Sequence, residues 1–192
     1  TKLQDNETVL DIATGTGDIA LKLLNKRKNL NITCLDENND MLQLCKDRLI
    51  DNGYIKDIKF LKSSIEDADL LKNYYSLATI AFGFRNFTDH SKALRNIYKS
   101  MLPGGRLVIM EFSTPENNIL QNIFEKYTHL VIPNIGKVLV NDYDSYKYLA
   151  ESISSYYTVA EVDQLFIKTG FENVRHELLP GDMVSIHIGY KC

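Results

Sequence analysis

The sequence predicts an α/β fold in which helices cover both faces of a doubly wound, mostly parallel sheet. Two observations support this prediction. Apolar, β-branched runs alternate with amphipathic helical stripes along the chain, and a glycine turn joins the first such run to the first stripe. With 192 residues, 44% of them hydrophobic and 24% charged, the chain can bury one substantial core. We therefore expect residues 1–192 to form a single domain.

The first strand, turn and helix form a cofactor-binding pattern. Residues 9–13 have the apolar character of a buried parallel strand, and the residues after the turn suit a helix that packs against it. Gly15 and Gly17 carry no Cβ, so the backbone between strand and helix can turn tightly and approach a ligand. A second apolar run ends in Asp36, nineteen residues beyond Gly17, where a carboxylate can accept hydrogen bonds from ribose hydroxyls.

The remaining elements continue the alternation. Helical spacing predicts helices over 41–49, 94–101 and 159–166, and apolar runs predict strands at 58–61, 77–82, 106–112, 171–177 and 183–190. Asp89 or Ser91 can cap the second of these helices, and we expect the turn at 103–105 to end it. The turn at 180–182 joins the last two strands as a hairpin, so one strand should be antiparallel.

The glycine pattern favours one cofactor class over another. A dinucleotide loop, G-x-G-x-x-G, needs a third glycine and places a helix N-terminus under a pyrophosphate. Here Ala13 occupies the first glycine position of the D-x-G-x-G-x-G loop of S-adenosylmethionine-dependent methyltransferases, and Asp11 supplies its acid. Asp18 at the helix start would repel a phosphate but serve as an N-cap. The loop therefore indicates S-adenosylmethionine.

Three further segments make the resemblance more specific. They are Ala81-Phe-Gly-Phe-Arg-Asn86, Pro103-Gly-Gly-Arg-Leu-Val-Ile-Met-Glu-Phe-Ser113 and Asp142-Tyr-Asp-Ser-Tyr-Lys-Tyr-Leu-Ala-Glu-Ser-Ile153. With them the chain resembles the UbiE/MenG-type C-methyltransferases of ubiquinone and menaquinone biosynthesis over nearly its whole length. The resemblance implies a Rossmann-like class I methyltransferase fold, a seven-stranded sheet with one antiparallel strand. It also implies C-methylation of a polyprenylated benzoquinol or naphthoquinol by S-adenosylmethionine. Family members usually carry a further N-terminal segment that this sequence lacks.

The resemblance also implies which residues bind the cofactor. The implied set is Asp11, Ala13, Gly15, Thr16, Gly17, Asp36, Met41, Ser64, Ile65 and Ala81. Asp36 would contact the ribose, and Ser64 and Ile65 would lie near the adenine. The family often has aspartate or asparagine followed by alanine at that last position, so one carboxylate-assisted hydrogen bond is lost and we expect weaker cofactor binding. Ser76 replaces a common aspartate, and the usual phenylalanine-proline after 152–153 is missing.

The implied catalytic residues are Arg85, Asn86, Asp142 and Tyr143. Methyl transfer to a ring carbon needs an ionised hydroquinone, and the fixed cation of Arg85 can favour the phenolate. Arginine stays protonated, so a water relay is a better route for proton removal than Arg85 itself, and Asn86 can orient that water. Asp142 and Tyr143, with Tyr146 and Tyr148, would line the quinol pocket. The apolar stripe within 119–131 would cover the site or belong to the core.

Composition excludes several other functions. A net charge of −3 gives no reason to expect nucleic-acid binding, and no apolar stretch approaches the roughly 20 residues of a membrane span. The three cysteines are read as free thiols. His129, His176 and His187 lack the spacing of a metal site, so no metal is predicted.

Partners and compartment follow from the resemblance alone. It implies a polyprenyl quinol substrate and a homodimer, and it leaves open peripheral membrane association and membership of a quinone-biosynthesis complex. The compartment would be the bacterial cytoplasm or, in a eukaryote, the matrix side of the mitochondrial inner membrane. Two alternatives remain. One is methylation of another small molecule, and the other is a weakly active, cofactor-binding subunit of a quinone-biosynthesis complex.

Overall fold

The computed structural model describes residues 7–27, 29–54, 56–113, 152 and 156–192. Strands and helices alternate through these residues as the sequence predicts. In chain order they are β1 (Thr8–Ile12), α1 (Asp18–Lys26), β2 (Asn31–Asp36), α2 (Asn39–Asp51), β3 (Ile58–Lys62), β4 (Tyr75–Ala81), α3 (His90–Ser100), β5 (Met101–Phe112), α4 (Val159–Thr169), β6 (Glu172–Leu178) and β7 (Val184–Tyr190). A single 3-10 turn, Phe84–Asn86, follows β4.

The strands form one sheet in the order β3-β2-β1-β4-β5-β7-β6. The pairs from β3 through β5 are parallel, whereas β7 is antiparallel to both β5 and β6. The predicted doubly wound, seven-stranded sheet with one antiparallel strand is therefore confirmed. The strand order reverses between β1 and β4, where connections leave toward opposite faces. In open α/β sheets, ligands bind in the crevice at the carboxyl ends of such a pair.

Side-chain caps and left-handed residues set the ends of the helices. Asn38 accepts hydrogen bonds from the first backbone N–H groups of α2. Asp89, of the two candidates in the sequence, does the same for α3. Thr158 and Glu161 form a capping box at α4, and Gly170 ends that helix with φ 106°. The three side-chain caps satisfy backbone donors at the helix starts, whereas Gly170 donates its own N–H to the carbonyl of Ile167 at the end of α4.

Two apolar clusters pack against the sheet. The larger includes residues of α3 and α4, and the smaller includes residues of α1 and α2. Phe84 from the 3-10 turn and Phe166 from α4 are among the largest fully buried side chains of the first cluster. These clusters bury side chains of the strands themselves. The loops at the carboxyl ends of the strands lie beyond the strand residues of the core and can form a site.

The turn expected at 103–105 is not a separate turn. Extended backbone begins at Met101, directly after α3, and continues to Phe112. The register with β4 shifts between Tyr75 and Leu77, which pair with Met101 and Arg106. The bulge absorbs the extra residues, with Gly104 at φ 79°. Residues 102–105 therefore form a bulge inside β5 that β4 does not pair with, in place of a turn between α3 and the strand.

Candidate functional site

A cleft of about 240 Å³ opens at the carboxyl ends of β1, β2 and β4. It lies at the edge where the strand order reverses, as expected for a ligand site in such a sheet. Its lining residues are Ile12, Ala13, Leu35, Asp36, Glu37, Asn38, Ser63, Ser64, Ile65, Glu66, Phe82, Gly83, Asn86, Phe87 and Thr88. Five of the residues predicted for the site line it: Ala13, Asp36, Ser64, Ile65 and Asn86.

The ends of β1 and β4 lie close together and form the floor of the cleft. The predicted strands included Ala13 and Phe82, but β1 and β4 stop one residue earlier, and both residues take left-handed backbone angles, φ 50° and 58°. Gly83 packs so closely that a Cβ built on it would lie 2.5 Å from the Cβ of Ala13. Glycine is therefore required at position 83 for these two loops to meet.

Asp11, which the resemblance places among the cofactor-binding residues, does not line the cleft. Its carboxylate is buried and accepts hydrogen bonds from the Thr14 hydroxyl at 2.6 Å and the Thr79 hydroxyl at 2.7 Å. Burial raises the pKa of Asp11 to about 6, and these two hydroxyls oppose the rise. Asp11 thus ties the glycine loop to β4 from below, which makes it a structural support for the cleft.

Asp36 lies in the cleft and also shapes it. One carboxylate oxygen accepts the backbone N–H of Gly15 at 2.8 Å, and the other accepts that of Asn38 at 2.9 Å. Each oxygen keeps a second lone pair that can accept a ligand hydroxyl. Glu37, the next residue, is exposed and lines the same cleft. Glu37 was not among the predicted site residues, although its position beside Asp36 at the end of β2 was the available signal.

The rest of the glycine loop serves the start of α1. Gly17, at φ 80°, precedes the helix, and a Cβ there would lie 2.6 Å from the Sγ of Cys45. Thr16 donates its hydroxyl to Asp18 at 3.0 Å, and Asp18 pairs with Arg48 at 2.9 Å. Gly15, in contrast, has open space where a side chain would be, so ligand atoms can approach its backbone.

Ser64 and Ile65 form the wall opposite the glycine loop. Ile65 is buried and presents an apolar surface, while the Ser64 hydroxyl donates to Asp67 at 3.3 Å. Asp67 in turn pairs with Lys92 at 2.6 Å. A purine could stack on the apolar part of this wall and hydrogen-bond to its polar edge.

Arg85 is held in a buried ion pair beside the cleft. Its Nη1 lies 2.7 Å from Glu111 and also donates to the Phe82 carbonyl, and its guanidinium carbon lies 5.3 Å from the centre of the Phe112 ring. The side chain of Arg85 is 10% exposed and that of Glu111 is 0% exposed. Nε donates to Ser152 at 3.3 Å, and among the described residues no acceptor engages Nη2.

Glu111 was not among the predicted site residues. Its buried carboxylate accepts three hydrogen bonds. They come from Nη1 of Arg85, from the backbone N–H of Arg85 at 3.2 Å, and from the backbone N–H of Phe112 at 2.9 Å. A carboxylate in an otherwise apolar strand was the signal that could have identified it. Its partner stands 26 residues away in the sequence, on the loop after the neighbouring strand.

Tyr156 is a third residue, after Glu37 and Glu111, that was not among the predicted site residues. Its hydroxyl is buried and has no hydrogen-bond partner within the part of the chain that the structure describes. Burial raises the pKa of this phenol, the nearby Glu111 charge raises it further, and Arg85 partly offsets both. The Tyr156 hydroxyl therefore stays protonated near the ion pair and can donate a hydrogen bond.

Several predicted residues do not join the cleft. Besides Asp11, the predicted residues that are described but do not line it are Gly15, Thr16, Gly17, Met41, Ala81 and Arg85, and Met41 is exposed on the first turn of α2. Asp142, Tyr143, Tyr146 and Tyr148 and the apolar stripe within 119–131 lie outside the described residues. Cys34, Cys45 and Cys192 are free thiols, as expected.

The structure brings two of the three histidines together, which their spacing in the sequence did not indicate. His176 and His187 both contact Asp163, each through Nδ1 at 2.7 Å. The partners come from three different elements, so no local spacing in the sequence could reveal the cluster. His129 lies outside the described residues.

The cleft suits S-adenosylmethionine by its chemistry. The carboxylates of Asp36 and Glu37 can accept the two ribose hydroxyls, and the wall of Ser64 and Ile65 offers apolar and polar contacts to an adenine. The open backbone at Gly15 leaves room for the methionine portion. Together with the seven-stranded sheet and its antiparallel β7, this site defines a Rossmann-like, S-adenosylmethionine-dependent methyltransferase.

Comparison with known proteins identifies the family. The model of the ubiE/COQ5 methyltransferase family matches residues 1–191. The chain is 36% identical over 192 residues to the ubiquinone/menaquinone biosynthesis C-methyltransferase UbiE of Francisella philomiragia, covering 100% of this chain and 77% of that protein. It is 38% identical over 184 residues to UbiE of Marinomonas sp., covering 95% and 73%. The chain belongs to the ubiE/COQ5 methyltransferase family.

Solved structures confirm the fold. The phosphoethanolamine N-methyltransferase 2 of Haemonchus contortus superposes with a TM-score of 0.74 at 13% identity, over 99% of this chain and 50% of that one. A SAM-dependent methyltransferase from Aquifex aeolicus gives 0.70 at 18% identity, over 100% and 85%. Within the described ranges, the helices include none that is long and apolar enough to cross a membrane.

Proposed function

We propose that this chain transfers the methyl group of S-adenosylmethionine to a ring carbon of a polyprenylated benzoquinol or naphthoquinol, as in ubiquinone and menaquinone biosynthesis. The family match over residues 1–191 and the names of the relatives support the reaction. The observation that carries the proposal in the structure is the buried Arg85–Glu111 pair at the rim of the cleft, because it offers an ionised quinol a fixed donor.

The donor half of the site uses the cleft residues. Asp36 and Glu37 would hold the ribose, Ser64 and Ile65 the adenine, and the backbone at Gly15 the methionine part. When bound there, S-adenosylmethionine supplies an electrophilic methyl group on a positively charged sulfur. The rigid loop contacts fix this half in place, and holding two reactants in line can supply about 7–11 kcal/mol of the barrier reduction.

The acceptor half must stabilise a phenolate. Arg85 and Glu111 together carry no net charge, so they act on the substrate as an oriented donor. Glu111 and Phe112 fix the guanidinium plane, which leaves Nη2 to donate to the quinol oxygen. Tyr156 can donate a second hydrogen bond, because its phenol remains protonated. The proton leaves through water, since a guanidinium cannot accept it, and Asn86 at the cleft wall would orient that water.

The lipophilic acceptor has consequences for where the enzyme works. A polyprenyl quinol resides in a membrane, so peripheral association with that membrane is part of the proposal. Homodimerisation and membership of a quinone-biosynthesis complex remain proposals of the same kind. The bacterial relatives favour the cytoplasmic side of a bacterial membrane as the place of action.

Complementation tests this proposal. The gene is expressed in a strain that lacks the quinone C-methyltransferase, and extracted quinones are analysed by mass spectrometry. We expect methylated quinone with the wild type and with Arg95→Ala, a matched control at an exposed arginine of α3. Arg85→Ala should leave only the demethyl precursor while the purified variant still binds S-adenosylhomocysteine in calorimetry. Accumulation of the precursor with the wild type would contradict the proposal, as would full activity of Arg85→Ala.

A further inference from the structure

A cluster of metal-ligating side chains lies between α4 and the β6–β7 hairpin, outside the cleft. Asp163 comes from α4, His176 from β6 and His187 from β7. One ligand atom from each lies within 4.8 Å of the others. None of the three lines the cleft, and the proposed methyl transfer uses none of them.

The distances leave room for an ion after a small adjustment. Nδ1 of His176 and Nδ1 of His187 each lie 2.7 Å from a different oxygen of Asp163. A tetrahedral ion with bonds of about 2.0–2.2 Å to nitrogen and oxygen needs its ligands roughly 3.3–3.6 Å apart. The carboxylate therefore has to draw back from each ring by about 1 Å or less.

A supporting contact prepares His187 for coordination. Its Nε2 lies 3.0 Å from the hydroxyl of Ser185, which is itself buried, so a tautomer with the ring proton on Nε2 can form and free Nδ1, which faces Asp163 at 2.7 Å, for an ion. Metal-binding histidines commonly donate their second ring nitrogen in this way.

The cluster is open on one side. The side chain of His176 is 41% exposed, that of Asp163 is 19% exposed and that of His187 is 1% exposed. An ion can enter past His176, and water can complete its coordination. Two imidazoles and one carboxylate suit zinc, whereas magnesium prefers oxygen ligands alone.

We propose that Asp163, His176 and His187 form a zinc-binding site with a water-filled fourth position. The ion would join α4 to the last two strands and so brace the edge of the sheet that ends in β6. The proposal does not depend on the methyltransferase reaction.

Titration of the metal-free protein with Zn²⁺ tests the site, with Co²⁺ as a spectroscopic substitute and Mg²⁺ as a comparison ion. We expect one Zn²⁺ per chain by calorimetry and visible absorption bands typical of four-coordinate Co²⁺. His176→Ala changes an exposed side chain and should keep the fold, which S-adenosylhomocysteine binding and thermal melting verify. It should weaken Zn²⁺ binding by more than about tenfold, and Asp163→Asn should do the same.

Two matched controls separate this site from adventitious binding. Glu177→Gln removes the exposed charge next to His176, and Cys192→Ser removes the exposed thiol. Both should bind Zn²⁺ like the wild type, and Zn²⁺ should raise the melting temperature of both but not that of His176→Ala. The proposal is overturned if the wild type takes up no Zn²⁺, if His176→Ala binds it unchanged, or if Cys192→Ser abolishes binding.

Discussion

Replacing Glu111 with glutamine should destabilise the protein and disable its catalytic site through the same ion pair. Glutamine has nearly the same shape and keeps one oxygen that can accept a hydrogen bond from Arg85. It removes the negative charge, however, and leaves the guanidinium, which is 10% exposed, without a counter-ion. Breaking a buried pair by removing one partner costs about 3–5 kcal/mol. Since one acceptor remains, we expect a loss near the lower end, about 3 kcal/mol.

Urea denaturation of four proteins measures this effect. They are the wild type, Glu111→Gln, Arg85→Gln and the double variant, which form a double-mutant cycle. Thermal melting is a second measurement of the same loss. A chain of this size loses about 2–4 °C of melting temperature per kcal/mol, so Glu111→Gln should melt roughly 6–12 °C below the wild type. The double variant should be less destabilised than the sum of the single variants, with a coupling of about 2 kcal/mol. A Glu111→Gln loss below about 1 kcal/mol, or additive single effects, would refute the description of a tightly coupled pair.

The remaining predictions concern the donor half of the site. Gly83→Ala should weaken S-adenosylhomocysteine binding and cost about 1–3 kcal/mol of stability, because the new Cβ would lie 2.5 Å from that of Ala13. Adding Ala13→Gly should restore both in calorimetry and denaturation, and a failure to restore them would argue against a direct clash. The pKa of Asp11 is raised from 3.8 to about 6 in the folded protein, so protonated Asp11 favours the folded state. This contribution to stability is fully present below about pH 4 and is lost as the pH rises through about 6. The stability of Asp11→Asn relative to wild type should therefore increase by up to about 3 kcal/mol between pH 4 and pH 8, and a pH-independent difference would contradict the shift. Ser64→Asp should tighten S-adenosylhomocysteine binding by about fivefold through a charged acceptor, with Ser64→Asn as the uncharged control. Equal affinities of Ser64→Asp and wild type would remove position 64 from the adenine contacts.

Much of the fold could be predicted because its signals are local. Strand-like runs, helical stripes and the Asp89 cap each depend on residues a few positions apart, and the structure confirms them. The turn at 103–105 was predicted wrongly for a reason outside the local sequence. There the chain enters β5 directly after α3, and a bulge opposite β4 takes up residues 102–105, including the proline and both glycines.

The candidate site was harder to predict because its contacts join distant residues. Asp11 at the end of a strand could equally face a ligand or the interior, and the hydroxyl of Thr79, 68 residues away, settles the choice. The Arg85–Glu111 pair depends on β5 lying beside β4, which the strand order fixes and the sequence pattern alone does not. The contact of Asp163 with two histidines depends likewise on the packing of α4 against the hairpin.

The most direct test of the account is transfer of a labelled methyl group. The purified protein is incubated with S-adenosylmethionine that carries a trideuterated methyl and with demethylmenaquinol or the corresponding benzoquinol in detergent micelles. Mass spectrometry and proton NMR of the product then locate the label. We predict one trideuteromethyl group on a ring carbon, and its loss in Arg85→Ala. A label on oxygen, or no transfer to either quinol by protein that binds S-adenosylhomocysteine, would contradict the proposed function.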